Sequence, residues 1–157
     1  MEKHICKEHG NRTSEQGAVM ERIEKDGVCP FCVDFCRGQK PRYHTKPIIK
    51  ETRWWVLTEN FHPYEGSVHH LLFVCKRHAE RLVDLKICEI WDAFRLFQWT
   101  EKEYQLEGGT LLLRFGDPER TGASVQHLHF QLVAGDSRKN GGPAILTSLG
   151  YQRPKST

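Results

Sequence analysis

The chain has 157 residues, 38% hydrophobic and 27% charged, with a formal net charge of +3. This bounds it to one ordinary globular domain and excludes a helical membrane span, because no apolar run approaches the ~20 residues a span needs. The small positive balance argues against a dedicated nucleic-acid or membrane-surface binder, and six cysteines behind a polar start (MEKHICKEHGNRTSEQ) point to thiols or metal ligands in a reducing, cytoplasmic setting rather than to a disulfide scaffold.

Residues 1–28 are polar and read as an N-terminal arm. Within it SEQGAVMERIEKDG predicts a short helix, with Ser14 as N-cap and Gly27 as stop. VCPFCVDFCRG follows as a tight cysteine-rich turn. PIIK and WWVLT, separated by Glu51, Thr52 and Arg53, predict a hairpin, and NFHPYEGS has loop composition. HLLFVCK is a continuous apolar run expected to form a buried strand. From Asp84 to about Tyr104, Ile87, Ile90, Trp91, Phe94 and Phe97 recur at helical spacing, with Asp84 as N-cap and Gly108-Gly109 as the break. TLLLRF predicts a second buried strand, GDPERTGA a loop, and SVQHLHFQLVA a long final strand. Residues 135–157 read as loop and tail. Strands flanking one long helix through short connections predict an α+β fold with an antiparallel sheet.

In the final strand alternate side chains share a face, so His127, His129 and Gln131 line one side while Leu128, Phe130 and Leu132 line the other. GASVQHLHFQLV resembles the signature of the histidine-triad (HIT) superfamily, in which a glycine turn precedes three alternating histidines. Gln131 replaces the third, as in the His-x-His-x-Gln strand of the galactose-1-phosphate uridylyltransferase and dinucleoside-tetraphosphate phosphorylase branch. HLLFVCKRH is similar to the family's strand ending in Pro-Lys-x-His, with Cys75 in place of proline. TENFHP resembles its ribose-binding loop and CPFC its zinc knuckle. The resemblance covers residues 29–134 in order and implies a HIT-like antiparallel sheet with one long helix, beside the short helical arm and a C-terminal tail at 135–157.

It further implies a nucleotide substrate and a nucleotidyl hydrolase, transferase or phosphorylase in which His129 is the nucleophile. A neutral imidazole is competent for attack on phosphorus. The Gly122–Ser124 turn would offer N–H groups, and Ser124 a hydroxyl, to the attacked phosphate. Gln131 donates a hydrogen bond but cannot deliver a proton, which favours phosphate leaving groups over amines. Asn60 would contact the ribose and Phe61 the base.

Cys29 and Cys32 have the spacing of two thiolates on one zinc. The context of a redox pair, a helix opening beside a strand, is not expected there. The resemblance supplies His78 and His127 and so a closed, structural Cys2His2 zinc site. Cys6 and His9 with Cys29 and Cys32 form a rival zinc-ribbon spacing, and Cys36 is a further stand-in ligand. Cys75 and Cys88 read as core residues. One of Trp54 and Trp55 would face the pocket. Arg114 stands where the family keeps an amide, either as a phosphate clamp or a surface charge, and His62, His69 and His70 lie nearby without assigned roles. The family's homodimers imply a second copy as partner. A non-catalytic nucleotide- or zinc-binding module is the alternative function, and a zinc-ribbon nucleic-acid module would need a basic face that +3 does not supply.

Overall fold

A computed structural model describes residues 14–36 and 41–153, with side chains from residue 17 onward. The Cys6–His9 ligand set and the cap expected at Ser14 therefore lie outside the described residues and side chains. Among the described residues no helix is long and apolar enough to cross a membrane.

The centre is a five-stranded antiparallel sheet. Its strands are β1 (Ile48–Glu51), β2 (Trp55–Glu59), β3 (His69–Cys75), β4 (Thr110–Leu113) and β5 (His129–Ala134), in the spatial order β1-β2-β3-β5-β4. The α+β antiparallel expectation is met, and β1–β2 is the expected hairpin. Around the sheet lie α1 (Ser14–Asp26), α2 (Pro30–Phe35), α3 (Ile87–Glu103) and the single turn α4 (Pro118–Thr121).

Side-chain alternation gives the sheet two different faces. Trp55, Leu57, Leu71, Phe73, Cys75, Leu132 and Ala134 pack under Ala93, Leu96 and Phe97 of α3. Phe97 stands edge-on to Phe73 at 4.7 Å and to Phe130 at 4.9 Å between ring centroids, the arrangement that ring quadrupoles favour. The opposite face carries Val56, Leu72 and Val74, covered by Phe31 and Phe35 of α2. It also carries the polar residues of the site.

Several elements differ from expectation. The segment VCPFC is not a turn: Cys29 is the N-cap of α2 and Pro30 its first residue, a position where proline's missing N–H costs nothing. α3 starts two residues later than expected, its N-cap being Lys86 rather than Asp84. Asp84 instead accepts the N–H groups of Arg81 (2.9 Å) and Glu80 (3.3 Å) around a 3-10 turn over 82–84. The cap of α3 is Lys86, whose N–H is accepted by Glu89 Oε2 at 2.7 Å. The helix ends at Tyr104, before the glycines, because Gln105 takes a positive φ of 49°. β4 is an edge strand with Thr110 and Leu111 exposed, not a buried one. β5 is six residues long, since the chain over 124–128 bends.

The helical periodicity of α3 buries less than it suggests. Phe97 is buried, but Ile87, Trp91 and Phe94 are 70, 68 and 53% exposed. Cys88 is exposed rather than core. Neither tryptophan reaches the α2 face: Trp55 is buried under α3 with Nε1 donating to Glu89 O at 2.7 Å, and Trp54 packs on the same cluster.

Candidate active site and metal centre

Cys29, Cys32, His78 and His127 converge from α2, the end of β3 and the approach to β5. Their ligand atoms all lie within 4.8 Å of one another. His127 Nδ1 is 3.4 Å from Cys29 Sγ and 3.5 Å from Cys32 Sγ, and His78 Nδ1 is 3.3 Å from Cys32 Sγ. Both rings are turned by their other nitrogen. His127 Nε2–H donates to Cys75 O at 2.8 Å and His78 Nε2–H to Glu80 Oε1 at 3.0 Å. Each therefore presents a bare Nδ1 to the sulfurs, which is how metal-binding histidines are commonly oriented. Two thiols and two imidazoles at these separations suit a small tetrahedral cation, and the four residues could hold one metal ion.

His129 lies two residues beyond His127, on β5 opposite Val74 of β3. Its Nδ1–H donates to the carbonyl of His127 at 2.7 Å. That bond fixes the tautomer and leaves Nε2 with its lone pair. Burial holds the imidazole neutral by lowering its pKa to about 4. The ring of Phe31 stands edge-on to it at 5.1 Å.

Gln131 is buried on the same face, and its Oε1 lies 2.9 Å from His70 Nε2. The Tyr64 N–H donates to His70 Nδ1 at 3.0 Å, so the proton of this neutral ring is on Nε2 and is donated to Gln131. The Asn60 amide nitrogen, 3.1 Å from the same Nε2, then meets another donor and makes no bond. Its orientation is set by Asn60 Oδ1, which accepts the His62 N–H at 3.0 Å. His70, given no role by its sequence context, thus orients the Gln131 amide with its NH2 group left as the donor.

Gly122 caps α4 in the left-handed region at φ 71° and spends its own N–H on Pro118 O. Of the glycine turn, the donor nearest His127 in sequence is Ser124. Phe61 does not stand alone: an aromatic series runs from Phe31 to Phe35 (5.7 Å), His44 (5.2 Å) and Phe61 (6.1 Å). His44 is buried, and its Nε2 lies 2.8 Å from Thr58 Oγ1, whose own hydroxyl donates to Pro47 O. Burial lowers the His44 pKa to about 4. Asp34 of α2 positions this segment by accepting the N–H groups of Arg42 (2.7 Å), Tyr43 (3.2 Å) and His44 (2.9 Å). Sequence reading missed His44, because a histidine in a nonperiodic stretch carries no local signal. His69 faces the other side, against Tyr104.

A sheet of this order, with His129 on its penultimate strand in space and His127 on the approach to that strand, is the architecture of the histidine-triad fold. No family model and no curated protein matches the sequence. Solved structures do match. They include a histidine triad protein from Clostridium difficile (22% identity, TM-score 0.55, 69% of this chain and 91% of that one) and a HIT family hydrolase from Clostridium thermocellum (20%, 0.53, 75% and 96%). A histidine triad nucleotide-binding protein from Candida albicans matches at 20% identity and TM-score 0.57 over 83% of this chain and 85% of that one. The chain has the HIT fold.

Proposed function

We propose that the protein is a nucleotide-binding HIT-type enzyme that cleaves or transfers a nucleotidyl group through a covalent intermediate on His129. The observation that carries the reading is the His129 Nδ1–H bond to His127 O, which leaves Nε2 unprotonated in a buried site. Nε2 forms a bond to the phosphorus of the bound nucleotide as the bond to the leaving oxygen breaks. The leaving phosphate departs as an anion, hydrogen-bonded by the Gln131 amide and needing no proton. An incoming oxygen, from another phosphate or from a water that gives up its proton to the departed phosphate anion, then displaces His129 and restores its lone pair. Ser124 is assigned to the attacked phosphate, with Gly122 turning the chain toward it, Asn60 to the ribose, and Phe61 with its aromatic neighbours to the base.

We assign the Cys29, Cys32, His78 and His127 set to zinc. Held there, the ion would be structural, since four protein ligands leave no open position. It would fix His127, and with it the carbonyl that orients His129. The partner we assign to the exposed face of α3 is a second copy of the chain, and the soluble composition fits a cytoplasmic enzyme. Trapping tests the reading: labelled nucleoside polyphosphate should leave label on the wild-type chain and none on His129→Ala. Nucleotide binding without any adduct would instead support a non-catalytic module.

A further inference from the structure

His129 divides the site into two unlike halves. On one side, over β2 and β3, lie Phe31, Phe35, His44 and Phe61, with Val74 opposite His129 itself. On the other side the neighbouring strand is β4. Leu112 pairs with Gln131 and Leu113 with Phe130, so Arg114, the next residue, comes level with His129 on the face that carries it.

The Arg114 guanidinium is held from outside. Its NH1 group donates to Tyr64 Oη at 3.2 Å, and its NH2 group donates to Thr147 Oγ1 at 3.0 Å and Ser148 O at 2.7 Å. Ser148 also lies against Gly122, within 3.7 Å of where a β-carbon would stand. The C-terminal segment, expected to be a loose tail, thus ties Arg114 to the glycine turn. The Nε–H is buried with no acceptor, and no carboxylate pairs with Arg114, among the described residues. The charge reaches both buried imidazoles, helping to lower the pKa of His129 and His70. A buried guanidinium donor without a partner costs stability unless an anion completes it.

We infer that Arg114 binds the phosphate on the leaving side of the scissile bond, so that the site selects nucleotides carrying at least a second phosphate over monophosphates. This rests on the nucleotide reading above. With the nucleoside in the aromatic half and the attacked phosphorus at His129, the Arg114 half receives what departs. A neutral leaving group would strand the unpaired Nε–H, whereas a phosphate satisfies it.

The test uses the zinc-loaded full chain carrying His129→Ala, so that nothing turns over. Calorimetry measures Kd for mono- and diphosphates of adenosine, guanosine, cytidine and uridine. With Arg114 present, the preferred diphosphate should bind roughly 10- to 100-fold more tightly than its monophosphate. Arg114→Gln should cut that ratio to about 3 or less with monophosphate affinity little changed, and Arg114→Lys, which keeps the charge, should retain more of it. An unchanged ratio in Arg114→Gln, or a Lys variant no better than Gln, overturns the inference. Equal loss of mono- and diphosphate binding also overturns it, placing Arg114 on the attacked phosphate. If no nucleotide binds any variant, the nucleotide reading itself fails and this inference falls with it.

Discussion

One hydrogen bond sets the chemistry of His129. With Nδ1–H committed to His127 O, only Nε2 is available to react, and burial keeps it unprotonated. A histidine titration followed by NMR should therefore find His129 neutral down to about pH 5, with a midpoint near 4. A midpoint above 6 would mean the ring is hydrated. The sign for stability follows from the lowered value. Between about 6.5 and 4 the unfolded chain takes up the proton and the folded one does not, so this contribution is complete above the unfolded pKa and fades as pH falls. His129→Ala should lower turnover at least ~10³-fold while nucleotide still binds; substantial residual activity refutes its assignment as nucleophile. The orientation of Gln131 is likewise fixed by a hydrogen bond, this one from another strand. Because its carbonyl is taken by His70, Gln131→His would place a titrating group where only a fixed donor stands now. Hydrolysis of a nucleoside phosphoramidate should rise relative to a dinucleoside polyphosphate, by part of the ~10²–10⁴-fold that general acid catalysis can contribute. A wild-type preference for the phosphoramidate would sink that argument.

At the scale of elements, the join between β3 and α3 depends on a buried carboxylate. Glu89 is fully buried and receives a two-pronged contact from Arg77, Nε to Oε1 at 2.6 Å and an NH2 nitrogen to Oε2 at 2.7 Å, besides capping α3. Arg77 holds the Glu89 carboxyl below its ordinary range. A depressed carboxylate contributes stability above its unfolded pKa of about 4.3 and loses it as pH falls through the folded value. Glu89→Gln should cost about 2–3 kcal/mol in denaturant unfolding at pH 7, with the gap from wild type closing at low pH. A gap that does not depend on pH would assign the loss to packing. α3 supplies another prediction from its outer face, where Ile90 and Gln98 join Ile87, Trp91, Phe94 and Arg95 around a groove on the far side of the sheet from His129. Trp91→Glu should convert a dimer to monomers in sedimentation velocity without unfolding the chain; a monomeric wild type would contradict the assigned partner.

At the scale of the molecule, the metal set connects α2, the end of β3 and the entry to β5, three places far apart in sequence. Metal affinity at such a site is folding free energy. If the proposed zinc occupies it, chelation, or Cys29→Ser, should lower Tm by roughly 10 °C or more and remove about one equivalent of the metal. If Cys6→Ser with His9→Ala strips the metal while His78→Ala does not, the ligand set is wrong.

Local pattern carried much of this fold. Alternation over His127–Leu132, the apolar run at His70–Val74 and the hairpin around Glu51–Arg53 are short-range signals of strands, and the spacing from Ile87 to Phe97 is that of a helix. Resemblance of GASVQHLHFQ and CPFC to family motifs indicated the histidines and the four residues, able to hold a metal ion, that the fold brings together. What these signals lacked was depth and partners. Periodicity marks an apolar stripe on α3 but not which part of it the sheet covers, and so Trp91 stands in solvent while Glu89 is buried. Spacing places Arg114 beside the glycine turn but not its anchors 33 and 34 residues away, and gives no hint that His44 belongs to the site or that His70 holds the Gln131 amide. Sequence by itself determined the strands, the long helix and the residue types available for chemistry, because those follow from contacts within a few residues. Tertiary structure decided tautomers, amide orientation and which charge lies unpaired beside His129, because each depends on hydrogen bonds between segments that only the folded sheet makes neighbours.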